Sequence, residues 1–167
     1  AFLLPKTGAI PSGAAAHRVP TTADVWRVLN QGETAPAVRE APKVARAARA
    51  FHWPLECPDV MARGGFDVVL GNPPYGAKVE VRAKQCIKFT HPQTAGASNT
   101  CADFISLAVG MMSEKGMFGL VVPKSVTYSN AWRGVRAIAL PRLISTVDIG
   151  QAWANVALEM VLLFCSK

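Results

Sequence analysis

Four consecutive residues, Asn72-Pro73-Pro74-Tyr75, form the part of the sequence best suited to chemistry. Both prolines lack a backbone N–H, and Pro73 restricts Asn72 to an extended conformation, so the segment presents carbonyl oxygens with few competing donors. The Asn72 side-chain oxygen and the Pro73 carbonyl oxygen can therefore both accept hydrogen bonds from one planar NH2 group. Tyr75 adds a flat face for stacking, a contact worth about 1–3 kcal/mol per base. The alternative interpretation is a rigid Pro-Pro turn packed by a tyrosine.

This pair of acceptors suits one kind of reaction. An aromatic amine is a poor nucleophile because its lone pair is delocalised into the ring. Two acceptors on its hydrogens favour a pyramidal nitrogen whose lone pair points at an incoming methyl group. That interaction stabilises the transition state more than the bound substrate, which raises the rate. The segment therefore predicts an amine-binding site for methyl transfer, without a general base of unusual pKa.

A strand is predicted immediately before this segment. Residues 66–70 form a short, apolar, β-branched run that ends at Gly71, as is typical of a buried parallel strand. Ligands of open α/β sheets bind beyond the carboxyl ends of the strands, so the segment from Asn72 lies where a site is expected.

The remaining pattern alternates between helices and strands, with a polar and basic loop over residues 76–100. One helix, over residues 103–114, is expected to end at Gly116 and to bury one side. That side consists of Phe104, Leu107, Ala108, Met111 and Met112. The order of elements indicates an α/β fold with an antiparallel finish. Further helices are predicted over residues 25–30, 36–50 and 130–140, and further strands over residues 117–122, 143–149 and 156–165.

Composition limits the classes of function. The chain has 167 residues, of which 50% are hydrophobic, enough for a sizeable core, and its net charge of +7 favours a polyanionic partner such as nucleic acid. The four cysteines form no CxxC pair and no histidine stands at ligand spacing, which argues against a zinc site or a disulfide framework and fits a reducing cytoplasm. The longest apolar run, residues 156–165, is interrupted by Glu159 and is too short for a membrane span.

The segment from Gly65 to Gly76 resembles the adenine-N6 DNA methyltransferases of restriction-modification systems. The likeness is strong over residues 51–167 and weak over residues 1–50. It implies an α/β fold in which residues 51–167 form a partial Rossmann-like class I methyltransferase sheet, strands 4 to 7, with flanking helices. Residues 1–50 are expected to be a connector with short helices. The resemblance also implies S-adenosylmethionine as methyl donor and double-stranded DNA with a flipped adenine as substrate.

The resemblance assigns roles to individual residues. Asn72 to Tyr75 would be catalytic, and Trp153 would meet the flipped base from the side opposite Tyr75. Phe104, His52 and Asn72 would contact the methyl donor. The alternatives are that Phe104 is a core phenylalanine and that Trp153 is an aromatic at a hairpin tip that covers the core.

Basic residues that follow the motif are candidates for contacts with DNA phosphates. They are Lys78, Arg82, Lys84 and Lys88. The alternative is an ordinary solvated surface.

The sequence also departs from the family. It lacks the glycine-rich loop and the acidic residue that hold the donor, and His52 stands where an acidic or amide residue is expected. A fragment without the first three strands is therefore predicted, with an exposed flank on the strand at residues 66–70. A restriction nuclease and a target-recognition domain are possible fused or separate partners.

Two other functions remain open. One is methylation of another amino group, such as a protein glutamine. Against it argue Trp153, the basic charge, and the segment Phe51–Glu56, which is similar to the segment that precedes the equivalent of the strand at residues 66–70 in the DNA methyltransferases. The other is an inactive, nucleic-acid-binding remnant.

Overall fold

The computed structural model describes residues 22–32, 42–43, 46–47, 51, 53–79, 84, 87–88, 90–154 and 157–167. The chain divides into two compact units, Ala1–His52 and Trp53–Lys167. In the first unit, helix α1 (Thr22–Gln31) confirms the helix predicted over residues 25–30 and begins three residues earlier. Of the helix predicted over residues 36–50, the described residues 42–43 and 46–47 are helical.

The second unit contains a four-stranded mixed sheet. Its strands are β1 (Phe66–Gly71), β2 (Met112–Pro123), β3 (Leu143–Gly150) and β4 (Met160–Ser166), in the order β1-β2-β4-β3. Strands β1 and β2 are parallel, whereas β4 is antiparallel to both β2 and β3. The predicted α/β class and antiparallel finish are confirmed, although β4 begins four residues later than expected.

Four helices that the structure describes in full accompany this sheet, and two of them contribute buried side chains to the core. They are α2 (Trp53–Glu56), α3 (Pro58–Ala62), α4 (Cys101–Met111) and α5 (Arg133–Ala139). Short 3₁₀ turns occupy Pro92–Thr94, Lys124–Thr127, Asn130–Trp132 and Leu140–Arg142. Side chains of α4, α5, β2 and β4 form one buried cluster, which includes Ile105, Val135, Phe118, Val122, Leu163 and Cys165.

The boundary between α4 and β2 differs from the prediction. The helix was expected to continue to Glu114, but it ends at Met111, because Met112 is 1% exposed and already pairs with Phe66 of β1. Gly116 does not cap the helix. A Cβ atom at Gly116 would lie 2.6 Å from the Phe66 carbonyl oxygen, so glycine is needed there for the close approach of two backbones.

The buried side of α4 was predicted only in part. Ala108 is buried as expected, but Phe104 is 42% exposed, and Cys101 and Ile105 are fully buried instead. At 3.6 residues per turn, the stripe that contains Phe104 lies beside the one that faces the sheet. Phe104 is therefore not a core phenylalanine.

Strand β1 is parallel as predicted, but it is not buried. Val68 is 53% exposed and Leu70 is 74% exposed. Within the described part of the chain β1 pairs with β2 alone, so it is an edge strand. Its exposed apolar side chains agree with the exposed flank expected for this strand.

None of the helices in the described ranges is long and apolar enough to span a membrane.

Candidate functional site

The Asn72–Tyr75 motif directly follows β1, at the carboxyl end of the parallel pair β1 and β2. Asn72 and Pro74 are exposed, Pro73 is buried and Tyr75 is half-buried. The motif therefore lies beyond the carboxyl ends of these strands, where ligands of α/β proteins bind.

The hydroxyl group of Tyr75 lies between two acceptors. It donates a hydrogen bond to Oδ1 of Asn72 and lies 3.2 Å from the carbonyl oxygen of Val121 on β2. Burial raises the pKa of Tyr75 above its ordinary value, and the nearby Cys101 thiol raises it further. The phenol thus remains a neutral donor at physiological pH. Since one O–H serves one acceptor well, the hydroxyl can turn to the Val121 oxygen when another donor competes for the Asn72 oxygen.

The ring of Tyr75 faces the second predicted aromatic. The centroids of the Tyr75 and Trp153 rings are 6.3 Å apart, with planes inclined at 39°. Trp153 lies in the loop between β3 and β4, far from the motif in sequence, and is 37% exposed. The two aromatic residues named from the sequence are thus neighbours beyond the carboxyl ends of β1 and β2.

Ion pairs anchor both ends of the loop that carries Trp153. Lys124, directly after β2, places Nζ 2.8 Å from the Asp148 carboxylate and 3.1 Å from the Glu159 carboxylate. Its backbone N–H also donates to the Glu159 carbonyl oxygen at 2.8 Å. The hydrogen bonds that Lys124 donates to Asp148 and then Glu159 raise the pKa of Lys124, and the bond that Asp148 accepts lowers the pKa of Asp148.

A mostly apolar cavity of about 350 Å³ adjoins the motif, between β1 and α4. Its walls include Phe104, Leu107 and Met111 of α4 and Pro73 and Pro74 of the motif. This volume is at the lower end of the range for small-ligand sites, about 300–1,000 Å³. An apolar slot with an exposed phenylalanine fits a flat ring such as the adenine of S-adenosylmethionine better than it fits a charged group.

The model of the Eco57I restriction-modification methylase family matches residues 21–152, most of the chain. The chain belongs to this family. A protein of Methanocaldococcus jannaschii that carries the provisional name type II restriction enzyme and methyltransferase is 29% identical over 99 residues. That alignment covers 57% of this chain and 8% of the relative, so the chain corresponds to a small part of that protein's length.

The structure describes some of the predicted site residues of this Eco57I-family chain and not others. His52 and Arg82 lie outside the described residues, whereas Lys78, Lys84 and Lys88 are exposed on the segment that follows the motif. No group of three or more histidine, cysteine, aspartate or glutamate side chains in the described ranges is arranged to hold a metal ion.

Two cysteines of this family member are buried near or within the core. Burial raises the pKa of Cys101 to about 12, and the Asp103 charge adds to this shift. Burial also raises the pKa of Cys165 to about 11. Both thiols therefore stay protonated at physiological pH and are unsuited to act as nucleophiles.

Sequence reasoning missed two residues that contact the site. Thr100 donates from Oγ1 to the Pro74 carbonyl oxygen at 2.7 Å, and Lys124 anchors the Trp153 loop. Lys124 lies within residues 51–167, over which the sequence resembles the family, and that likeness was the available signal. Thr100 and Pro74 are 26 residues apart in the sequence, and no local sequence pattern predicts a hydrogen bond between them.

Proposed function

We propose that this chain is part of a DNA methyltransferase that transfers the methyl group of S-adenosylmethionine to the exocyclic N6 of adenine. The observation that carries the proposal is the Asn72–Tyr75 motif at the carboxyl end of β1, with Trp153 facing Tyr75. Membership of a restriction-modification methylase family supports DNA as the substrate. The enzyme would act in restriction-modification or phage defence, and the cytoplasm is its expected location because the DNA is there.

We further propose that residues 51–167 are the C-terminal half of a class I methyltransferase domain and that residues 1–50 are a connector. Strands β1 to β4 would then be strands 4 to 7 of a Rossmann-like sheet. Two features support this assignment: the parallel pair β1 and β2 with α4 between them, and the antiparallel β4 inserted between β2 and β3.

The Tyr75 and Trp153 rings would hold the target base between them. Stacked bases repeat about every 3.4 Å, so a base between two rings needs about 7 Å. The centroid separation of 6.3 Å is slightly smaller, so the rings would move apart and become more nearly parallel when a base enters. Flipping the base out costs a few kcal/mol, which stacking at about 1–3 kcal/mol per base helps to offset.

Asn72 and Pro73 would position the amine. The hydrogens of N6 would bond to Oδ1 of Asn72 and to the Pro73 carbonyl oxygen, which turns the nitrogen lone pair towards the methyl donor. The Tyr75 hydroxyl would compete with the amine for the Asn72 oxygen, and it has the Val121 carbonyl oxygen as a second acceptor.

Phe104 would stack on the adenine of the methyl donor in the adjoining cavity, beside Asn72. Bound S-adenosylmethionine would supply an electrophilic methyl group. The proposed contact of His52 with the donor remains a prediction. The cavity walls are mostly apolar, with Asn72 and the indole of Trp53 as their polar side-chain groups, so they fit the adenine end of the donor rather than its ribose or amino-acid end.

The basic segment after the motif would contact DNA phosphates. Its members are Lys78, Arg82, Lys84 and Lys88. A restriction nuclease and a target-recognition domain would be partners, fused or separate, as the name of the Methanocaldococcus jannaschii relative suggests for the nuclease. The family match and the net charge of +7 favour DNA over a protein glutamine as the substrate.

The product identifies the reaction directly. The complete gene product would be incubated with unmethylated bacteriophage DNA and isotopically labelled S-adenosylmethionine, and the digested nucleosides separated by mass spectrometry. We expect label in N6-methyladenine. Label in N4-methylcytosine or 5-methylcytosine, or no label in DNA at all, would contradict the proposal, and the last result would favour an inactive remnant.

A further inference from the structure

We propose that Thr100 is a positioning residue that fixes the conformation of the Asn72–Tyr75 motif. Its importance for methyl transfer rests on the proposed function, but the conformational role itself can be measured without any substrate.

The prolines do not restrict every backbone torsion angle of the motif, and ψ of Pro74 is one that they leave free. The rings of Pro73 and Pro74 fix their own φ angles, and each proline restricts ψ of the residue before it. The ψ angles of Asn72 and Pro73 are therefore limited. Pro74 precedes Tyr75 rather than a proline, so its ψ angle is not restricted in this way. This angle determines where the chain places Tyr75.

Thr100 acts on that torsion angle. Its Oγ1 donates to the Pro74 carbonyl oxygen at 2.7 Å, and the direction of this carbonyl depends on ψ of Pro74. Thr100 is 8% exposed, so water competes little for the bond. The contact thus supplies the constraint that the sequence of the motif lacks.

The hydroxyl of Thr100 donates to the motif and does not cap its own helix. Thr100 occupies the N-cap of α4, where threonine commonly accepts a bond from a helical N–H, yet its side chain makes no capping bond. The neighbouring Asn99 side chain accepts from the Cys101 N–H at 2.9 Å instead. The Thr100 carbonyl accepts from the Asp103 N–H at 3.0 Å, which ties the donor to the first turn of α4.

Tyr75 is consequently held from two sides. Its hydroxyl contacts Asn72 and Val121, and its backbone follows a carbonyl fixed by Thr100. Loss of the Thr100 bond would let the ring move relative to Asn72 and Trp153.

One NMR signal reports this bond in the 167-residue chain. The chain has two tyrosines, and only Tyr75 follows a proline, because Tyr128 follows Thr127. Labelling with carbonyl-¹³C proline and ¹⁵N tyrosine therefore gives one carbonyl-to-amide correlation, that of Pro74. We expect Thr100→Val to shift this carbonyl towards the position of an unbonded one and Thr100→Ser to keep the wild-type position. Asn99→Ala, which removes the capping bond at the same helix end, should also leave it unchanged.

An unchanged Pro74 carbonyl signal in folded Thr100→Val would overturn the proposal. If that variant does not fold, the wild-type chain decides, because deuteration of the Thr100 hydroxyl must shift the Pro74 carbonyl carbon. Absence of that isotope shift would likewise overturn it.

Kinetics of the complete gene product test the link to catalysis. We expect Thr100→Val to lower kcat about 10- to 100-fold, the scale for small misplacement of reacting groups, with KM for S-adenosylmethionine unchanged. Thr100→Ser should restore kcat. An unaltered kcat in Thr100→Val would contradict the role of Thr100. A wild-type protein that methylates no DNA would instead contradict the proposed function, and the carbonyl signal would still decide on Thr100.

Discussion

At the scale of single residues, Tyr75 makes two kinds of contact that substitutions can separate. Its ring faces Trp153 at 6.3 Å, and its hydroxyl donates to the side chain of Asn72. In the proposed function the ring binds the base, whereas the hydroxyl competes with the amine for the Asn72 oxygen. The two parts of the side chain therefore have opposite effects on substrate binding.

We expect Tyr75→Ala to weaken binding of an extrahelical adenine about 5- to 150-fold, the equivalent of 1–3 kcal/mol of stacking. Tyr75→Phe should bind it at least as tightly as wild type, because the ring stays and the Asn72 oxygen is no longer occupied. Fluorescence anisotropy would compare a duplex that has adenine opposite an abasic site with a fully paired duplex.

Tyr75→Ala should affect the fully paired duplex less than the abasic one. Equal losses on both duplexes would argue against stacking, and weaker binding by Tyr75→Phe would show that its hydroxyl assists substrate binding.

The residues of the site could be predicted to different degrees. The Asn72–Tyr75 motif and Trp153 were named from the sequence because their types and order resemble a family, and the structure brings Tyr75 and Trp153 together. The bonds from Tyr75 to Val121 and from Thr100 to Pro74 join residues 46 and 26 positions apart. Such contacts depend on how the strands and α4 pack, so no local pattern reveals them.

At the scale of elements, Lys124 connects the end of β2 to the loop between β3 and β4. It contacts Asp148 at 2.8 Å and Glu159 at 3.1 Å, on either side of Trp153. All three side chains are partly exposed to solvent, so the contribution of these ion pairs to global stability is small. Their effect should be local order of the loop.

Lys124→Met should speed amide hydrogen exchange in residues 150–154 and 157–159, with Lys115→Met, at the other end of β2, as the control. Since the pKa of Asp148 is lowered, its contribution is present above its ordinary pKa of 3.8 and is lost as pH falls through the lowered value. Since the pKa of Lys124 is raised, its contribution is lost only as pH rises above 10.5.

Loop protection in wild type, corrected for intrinsic exchange rates, should therefore stay constant from about pH 5 to pH 9 and weaken in 1 M salt, where the Debye length is about 3 Å. Identical exchange in Lys124→Met and wild type would show that the ion pairs do not order the loop.

The elements themselves were largely predictable, and the errors share a cause. The apolar run of β1 predicted a strand covered on both faces, but Leu70 is 74% exposed because β1 lies at the sheet edge. The helix before β2 was expected to reach Glu114, but it ends at Met111. Residue types indicate whether a segment forms a strand or a helix, whereas the elements packed against that segment decide where it ends and which of its sides is buried.

At the scale of the whole molecule, the net charge of +7 should appear as salt-dependent DNA binding. We expect the triple substitution of Lys78, Lys84 and Lys88 by alanine to reduce the slope of log affinity against log salt by about 3, because each phosphate contact releases about one counterion. Titrations at several salt concentrations would measure it. Lys115→Ala, near the end of β2 that is farther from the motif, should leave the slope unchanged. A triple variant with the wild-type slope would mean that these lysines are only solvated surface.

The most direct test of the central claim replaces Asn72 in the complete gene product. We expect Asn72→Ala to lower methyl incorporation into DNA by about 100- to 1,000-fold, the usual cost of removing one group that stabilises a transition state. Calorimetric titration should show a much smaller loss in the binding of S-adenosylmethionine, because Phe104 and the other apolar walls of the cavity would still hold the donor's adenine when the Asn72 contact is removed. Asn130→Ala, an exposed asparagine outside the motif, should behave as wild type. Wild-type turnover by Asn72→Ala would contradict the account.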